Sequence, residues 1–550
     1  MVIIPALSSR RLIGREAELQ ALIEARRDLA KGRGCAVLIG GETGIGKTRL
    51  LKEFAATLTS ARAPRYFVGE CLQDAPRPFG PFRSLLTAII EVAPRLIAAS
   101  TPLVSRTLAA LVPDAARELG ISTSVPATVD KAELFTGVLR FLESIAAKRA
   151  IVLTLEDLHW ADAATLDLLA YIAPRIASIR LMLIGTYRKD EVRQDHPLFA
   201  RLARLEREST VRRIELEPLV EQDIRALVRA ALGTKYTLSR DQIRDVVMRS
   251  EGNPFFAEEI LKNAVERKEK STSLPTSVRA LTLDRLSALD PSDRNVLDFA
   301  AVFGLQFDAG TIAMLVEVAP REVLRSLHRL RDANLIIEES AGPSEFRFRH
   351  VLTRQVIYDE LLSADTRALH ARISAKLESL PDSHSHIDQL AYHSWRAGLR
   401  DATLRYSERA GDLALAVSAG TQAAVYFERA LEIATEGPAR IRLLGKAGEA
   451  FIQQSDFGRA SALCLAQHTL LIESGDFGAA AFALTRGASE IANSGDVQRA
   501  LALIETFRAD YGDRLPESAA DHLHAALGRL ATAADEYERA KSALAIVRHP

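Results

Sequence analysis

The sequence predicts an α/β core on a parallel sheet, followed by a helical lid, a winged-helix module and an all-helical solenoid. Three observations predict that order. Apolar runs alternate with helical stretches in the first part of the chain, and strands alternating with helices imply a parallel sheet with helices on both faces. Short helices followed by a hairpin pattern come next, and the remainder is Ala-rich with helical spacing throughout.

After a short leader, Met1 to Arg11, residues Glu16 to Ala30 carry Leu19, Leu22, Ile23 and Leu29 at helical spacing and stop at Lys31-Gly32-Arg33-Gly34. Cys35-Ala36-Val37-Leu38-Ile39 reads as a buried strand, as do Tyr66-Phe67-Val68, Ile151-Val152-Leu153-Thr154-Leu155 and Leu181-Met182-Leu183-Ile184-Gly185-Thr186. The core is expected over residues 1–215. A lid follows over 216–272, punctuated by Gly252-Asn253-Pro254. Residues 273–362 are expected to form the winged-helix module. Its hairpin comprises Leu335-Ile336-Ile337-Glu338 and Glu345-Phe346-Arg347-Phe348-Arg349, around the turn Ser340 to Ser344. Residues 363–550 are expected to be repeats. Asp456-Phe457-Gly458, Asp476-Phe477-Gly478 and Gly495-Asp496-Val497 recur about every 20 residues, one helix per interval, giving a TPR-like period of about 40.

At 550 residues there is room for roughly three or four domains. The 71 basic and 71 acidic side chains cancel, which excludes a global attraction to nucleic acid or an anionic membrane and leaves such contacts to local patches. The longest uncharged run, Leu413 to Phe427, has 15 residues, short of a bilayer span. With no cationic start before Leu7, neither a secretory signal nor a membrane anchor is expected, and the cytoplasm is the default. Cys35, Cys71 and Cys464 lie far apart and lack metal-ligand spacing, so buried free thiols are expected.

Chemistry is concentrated in Gly41-Glu42-Thr43-Gly44-Ile45-Gly46-Lys47-Thr48, a G-x-x-x-x-G-K-S/T phosphate-binding loop directly after a strand. Its glycines let backbone N–H groups face phosphates, Lys47 reaches the β- and γ-phosphates and Thr48 can ligate Mg²⁺. The helix beginning at Arg49 points its positive end at the same anion. A further strand ends in Glu156 and Asp157. Glu156 is expected to serve Mg²⁺ or its water, and Asp157 to polarise the attacking water, although the two roles are exchangeable on sequence grounds. Thr186 and Arg188, ending the next strand, stand where the γ-phosphate can be sensed and developing charge stabilised.

These residues, with Leu12-Ile13-Gly14-Arg15-Glu16, Leu155-Glu156-Asp157-Leu158-His159-Trp160-Ala161-Asp162, Gly185-Thr186-Tyr187-Arg188, Gly252-Asn253-Pro254-Phe255-Phe256 and Phe348-Arg349-His350, resemble the STAND-class AAA-type ATPases. Within that class the resemblance is to the large ATP-binding LuxR-type regulators and the ATPase regions attached to some adenylyl cyclases. It covers most of the chain to about residue 430. It implies a P-loop NTPase core binding ATP or ADP with Mg²⁺, Gly14 and Arg15 near the adenine or ribose, and Pro254 of the lid enclosing the nucleotide. His350 is similar in placement to a histidine that reads the ADP β-phosphate; a helix cap is its alternative. The resemblance further implies slow hydrolysis that resets a signalling switch, a protein partner on the helical repeats and a homo-oligomer in the ATP state. Regulators of this group usually end in a DNA-binding output domain, and cyclases carry a catalytic domain in front. Neither is expected here, so the solenoid would act through another protein unless the chain is truncated. Two alternatives remain. One is DNA binding by the winged helix, through Arg321, Arg325 and Arg329 on one helix face. The other is an ATPase motor.

Overall fold

The computed structural model describes residues 11–60, 63–72, 77–92, 101–121, 129–233, 239–266, 278–338, 344–381 and 383–547. The leader before Arg11 and the turn residues Ser340 to Pro343 lie outside the described residues. The chain divides into two compact units. One comprises residues 1–124 and 132–383, the other 125–131 and 384–550.

In the first unit, five strands form a parallel sheet: β1 Cys35–Gly41, β2 Arg65–Glu70, β3 Ile151–Glu156, β4 Leu181–Arg188 and β5 Val211–Leu216, in the order β2-β3-β4-β1-β5. Every residue of β1 and β4 is buried, as expected of central strands whose two faces are both covered by helices. Helix Glu16–Ala30 and helix Lys47–Ala56 cover one face through Leu22, Leu29, Leu50, Leu51 and Phe54. β5 was not foreseen. It sits at the sheet edge and carries exposed Arg212 and Arg213 and partly buried Glu215 among its six residues, so it lacks the apolar run that marks the inner strands. Because β4 lies between β1 and β3, the ends of all three strands share one rim. Gly41 is level with Arg188, and Leu155 with Gly185.

Among the described residues the lid has three helices, Glu221–Leu232, Arg240–Ser250 and Pro254–Glu266, packed around Ile224, Val228, Val246, Ala257 and Leu261. Ile13, from the start of the chain, packs against the same cluster. Beyond the lid, helices Pro291–Phe303, Ala309–Val316 and Pro320–Asp332 combine with β6 Gln306–Asp308, β7 Ile336–Glu338 and β8 Glu345–Phe348. The expected hairpin is therefore a three-stranded antiparallel sheet, β6-β8-β7. A three-residue strand leaves too short a pattern to recognise in sequence. Helix Ser363–Glu378 packs on two helices of this module and belongs to the first unit.

The second unit is a continuous run of helices from Ile387–Ala397 to Tyr537–Leu544, each packed on the next. The repeated aspartates explain its period. Asp456, Asp476 and Asp496 each accept a bond from the backbone N–H three residues on, at 3.1, 2.9 and 3.2 Å, and so cap the helices that follow. Ala and Gly fill its interior, with Leu484, Ile504, Phe507 and Leu523 as the larger buried members. Val129 belongs to this unit too. Its N–H donates to the Ala416 carbonyl at 3.1 Å, and its carbonyl accepts from Ser418 Oγ at 2.7 Å. No described helix is long and apolar enough to cross a membrane. The chain thus forms the expected α/β core with a parallel sheet, followed by lid, winged helix and TPR-like helical region.

Candidate functional site

The phosphate-binding loop leaves β1 at Gly41 and enters its helix at Lys47. Gly44 and Gly46 have φ of +81° and +108°, a region in which an L side chain is strained, so the turn depends on glycine there. Lys47 is buried, and its Nζ donates to the carbonyls of Gly41 at 2.7 Å and Glu42 at 2.9 Å. Burial pushes its pKa down to about 8, against the pull of Asp157. Thr48 Oγ1 donates to Glu156 Oε2 at 3.2 Å, joining the loop to the end of β3. Burial, with the neighbouring Asp157 charge, raises the Glu156 pKa. Asp157 is also raised by burial, and Arg188 and Lys47 oppose that rise. Its φ of +58° turns it away from the strand direction, and its N–H donates to Thr186 Oγ1 at 3.0 Å.

A hydroxyl and a carboxylate in contact, with a second carboxylate adjacent, suit a Mg²⁺ ion that takes few protein ligands and leaves its other positions to phosphate and water. The fit lies in the donor set: Thr48 and Glu156 supply hard oxygens, and a dication relieves two acids that burial has made reluctant to ionise. No group of three or more His, Cys, Asp or Glu side chains able to hold a metal occurs among the described residues.

Arg188 is buried at the end of β4, paired with Glu191 and stacked at 4.5 Å over the Trp160 ring. His159 Nδ1 accepts from the Arg188 N–H at 3.4 Å. Burial, aided by Arg188 and Lys47, holds the His159 pKa at about 2. The ring is therefore neutral, and its approaches of 3.9 Å to Asp157 and 3.7 Å to Glu191 are not ion pairs. Trp160, His159 and Glu191 thus aim Arg188, a role the sequence reading did not give them.

Around the other side of the loop, Arg11, Leu12, Ile13, Arg15, Gly44 to Gly46, Arg49, Leu219, Leu227, Pro254 and Phe255 line a cavity of about 180 Å³. Arg15 is buried, donates to the Glu217 carbonyl at 2.5 Å and meets Glu18 at 3.3 Å. Gly14 does not line this cavity. Its φ is +66°, and a Cβ there would come within 2.5 Å of Asp223 Oδ2, so it permits the close approach of the lid. Ile45 buries its side chain in the core, while Arg49 pairs with Glu53. The Glu42 side chain is exposed and the half-buried Thr43 donates its Oγ1 to Asp190 Oδ2 at 3.5 Å, while both residues offer their carbonyls to Lys47 and Asn253 respectively.

Asn253, beside the Pro254 expected to help enclose the nucleotide, bridges lid and loop. Its Nδ2 donates to the Thr43 carbonyl at 2.8 Å, and its Oδ1 accepts from Phe255 N–H at 3.1 Å, so it fastens the lid to the phosphate loop while capping the helix Pro254–Glu266. Phe255 packs over Gly44 and stacks on His350 at 4.0 Å, with 18° between the rings. His350 Nδ1 accepts from Leu352 N–H at 3.3 Å, so the cap alternative holds for that nitrogen. Burial and the Arg188 charge push its pKa down to about 3. Behind it, Arg349 and Arg285 approach Glu259, which is buried with Lys262. Burial opposes ionisation of Glu259, yet Lys262, Arg285 and Arg349 together hold its pKa at about 2.

The arginine stripe on helix Pro320–Asp332 is divided. All three are exposed, but Arg329 also binds Asp293 through two bonds of 2.7 and 2.5 Å.

Residues 11–184 match the family model described as AAA ATPase domain. Uncharacterized protein R02095 of Rhizobium meliloti (strain 1021) is 27% identical over 458 residues, which cover 77% of this chain and 42% of that protein. The chain therefore spans less than half the length of that relative. Among solved structures, the Signal Transduction ATPase with Numerous Domains (STAND) protein with a tetratricopeptide repeat sensor, PH0952 from Pyrococcus horikoshii, aligns with 99% of this chain and 78% of its own. The identity is 15% and the TM-score 0.47. A RuvB point variant of Thermotoga maritima aligns over 65% of this chain and all of its own, at 17% identity and a TM-score of 0.28.

Proposed function

We propose that this chain, whose residues 11–184 match the AAA ATPase domain model, is a nucleotide-controlled regulatory switch of the STAND type. The observation that carries this reading is the continuous contact from Thr43 and Gly44 through Asn253 and Phe255 to His350, which joins phosphate loop, lid and winged helix. A nucleotide held there touches all three modules, so exchanging ADP for ATP changes the free energy of their closure. ADP favours the closed arrangement; ATP, together with a partner on the helical repeats, favours an opened and self-associating form.

In hydrolysis, Lys47 and the loop N–H groups hold the phosphates. Asp157 orients the attacking water and accepts its proton, and Arg188 meets the charge that develops on the γ-phosphate. Mg²⁺, when bound through Thr48 and Glu156, neutralises phosphate charge. Arg15 and Pro254 flank the nucleoside end. Turnover is slow in this scheme because Arg188 must leave Glu191, its partner in the closed arrangement. Direct DNA binding is not favoured, since Arg329 is committed to Asp293.

Nucleotide released by denaturing the purified protein and run on anion exchange tests the proposal. Stoichiometric ADP, absent from a Lys47→Ala control, supports the switch. An empty wild-type protein that hydrolyses ATP rapidly points to a motor and overturns it.

A further inference from the structure

Helix Phe477–Asn493 places Phe482, Thr485, Arg486 and Ser489 three or four residues apart, and hence on one face. Between helix Gly437–Gln453 and helix Glu517–Ala533 that face borders a groove of about 830 Å³. An adjoining recess of about 490 Å³ shares Phe482, His522 and Arg529 with it. Phe482 is 45% exposed, yet its ring is fixed against His522 at 4.5 Å, and His522 Nε2 is bonded to Thr485 Oγ1 at 2.9 Å.

The charges lining the groove are unequally engaged. Asp476 caps its own helix, Glu490 accepts from Asn493 Nδ2 at 3.1 Å, and Arg442 is paired with Glu408 at 2.7 Å. Glu517 and Asp521, in the recess, have interactions of their own. Arg486 and Arg529 are exposed, and among the described residues neither has an ion-pair partner.

We propose that this groove binds an acidic peptide segment of a partner protein, with carboxylates on Arg486 and Arg529 and an apolar side chain on Phe482. The inference rests on the reading of the repeats as the switch's docking region, and gives that partner a chemistry. Arginine pairs carboxylates through two parallel bonds, and a rigid aromatic beside unpaired arginines is the composition of an interface hot spot. The groove of about 830 Å³ continues into a recess along stacked helices, as suits an extended chain.

The test uses the full chain and a fluorescein-labelled pool of octapeptides bearing Asp or Glu at alternate positions with Leu, Phe or Trp between, against a matched pool bearing Lys. Fluorescence anisotropy is expected to show the acidic pool binding at least about tenfold more tightly, with salt weakening it. Arg486→Glu combined with Arg529→Glu, and separately Phe482→Ala, are each expected to reduce that affinity about tenfold while leaving the thermal melt unchanged. Equal binding of both pools, or acidic binding indifferent to these variants, overturns the proposal. Bound nucleotide is measured in the same samples. Wild-type protein that selects acidic peptides but is empty and hydrolyses ATP rapidly leaves the groove standing and removes the switch; a protein carrying ADP that does not select acidic peptides removes the groove alone.

Discussion

The two compact units handle charge differently. In the first, Arg15, Lys47, Arg188, Glu259 and Lys262 are buried around the sheet rim and lid, each held by a few polar partners. In the second, the interior is mainly Ala, Leu, Ile and Phe, with Glu490 and Asp521 as buried acids, and ion pairs such as Arg442 with Glu408 and Arg539 with Glu505 lie toward the surface. Buried charges respond strongly to a neighbouring phosphate or metal, because little solvent screens them. Packed apolar helices respond to shape and to what binds their outer faces. The first unit is therefore built to be altered by a ligand, and the second to hold its form.

The sharpest break of this contrast is Lys47→Ala. ATP hydrolysis is expected to fall at least about 100-fold in a phosphate-release assay, while helical content measured by circular dichroism stays constant. Next in size is Glu259→Gln, which removes the buried acid shared by Lys262, Arg285 and Arg349 and leaves Glu258 near Arg349 at 3.8 Å. A loss of about 3–5 kcal/mol is expected in urea unfolding of the first unit. Wild-type Glu259 titrates below its ordinary value of 4.5, so its contribution is full above pH 4.5 and disappears as pH falls toward about 2. The Gln variant should lack that acid dependence; an unchanged acid limb would remove Glu259 as its source.

In the repeats, Ile504→Ala is expected to cost about 3 kcal/mol by cavity formation, with no pH dependence of its own. A pH-dependent cost would mean that charge is coupled to the repeat interior. Smallest is Asp476→Ala, which removes one helix cap at about 1 kcal/mol, read as a shift in the melting temperature of the repeats.

Sequence legibility followed the range of the interactions. The phosphate-loop glycines and the aspartates that open the repeat helices act through neighbours in the chain, so Gly44 and Gly46 were legible as a loop motif and Asp476 as a repeat mark, whereas Glu156 was legible only by its place at a strand end and meets Thr48 108 residues away. Asn253 was visible in its motif, but its role lies in a bond to Thr43, 210 residues away, and no local pattern encodes that pairing. The same holds for Glu191, which becomes part of the site only by meeting Arg188 and His159. β5 escaped because an edge strand needs only one apolar residue in two, and β6 because three residues carry no period. His350 was legible as a pair of alternatives, and the cap bond to Leu352 is one of them.

Val129 has a consequence for how the molecule is made. On a ribosome its segment emerges 289 residues ahead of Ser418, its hydrogen-bond donor. At about 5–20 residues per second the nascent chain waits about 15 to 60 s before that bond can form. A gene cut between residues 383 and 384 would make the wait permanent, since Ala416 and Ser418 would no longer share a polypeptide with Val129.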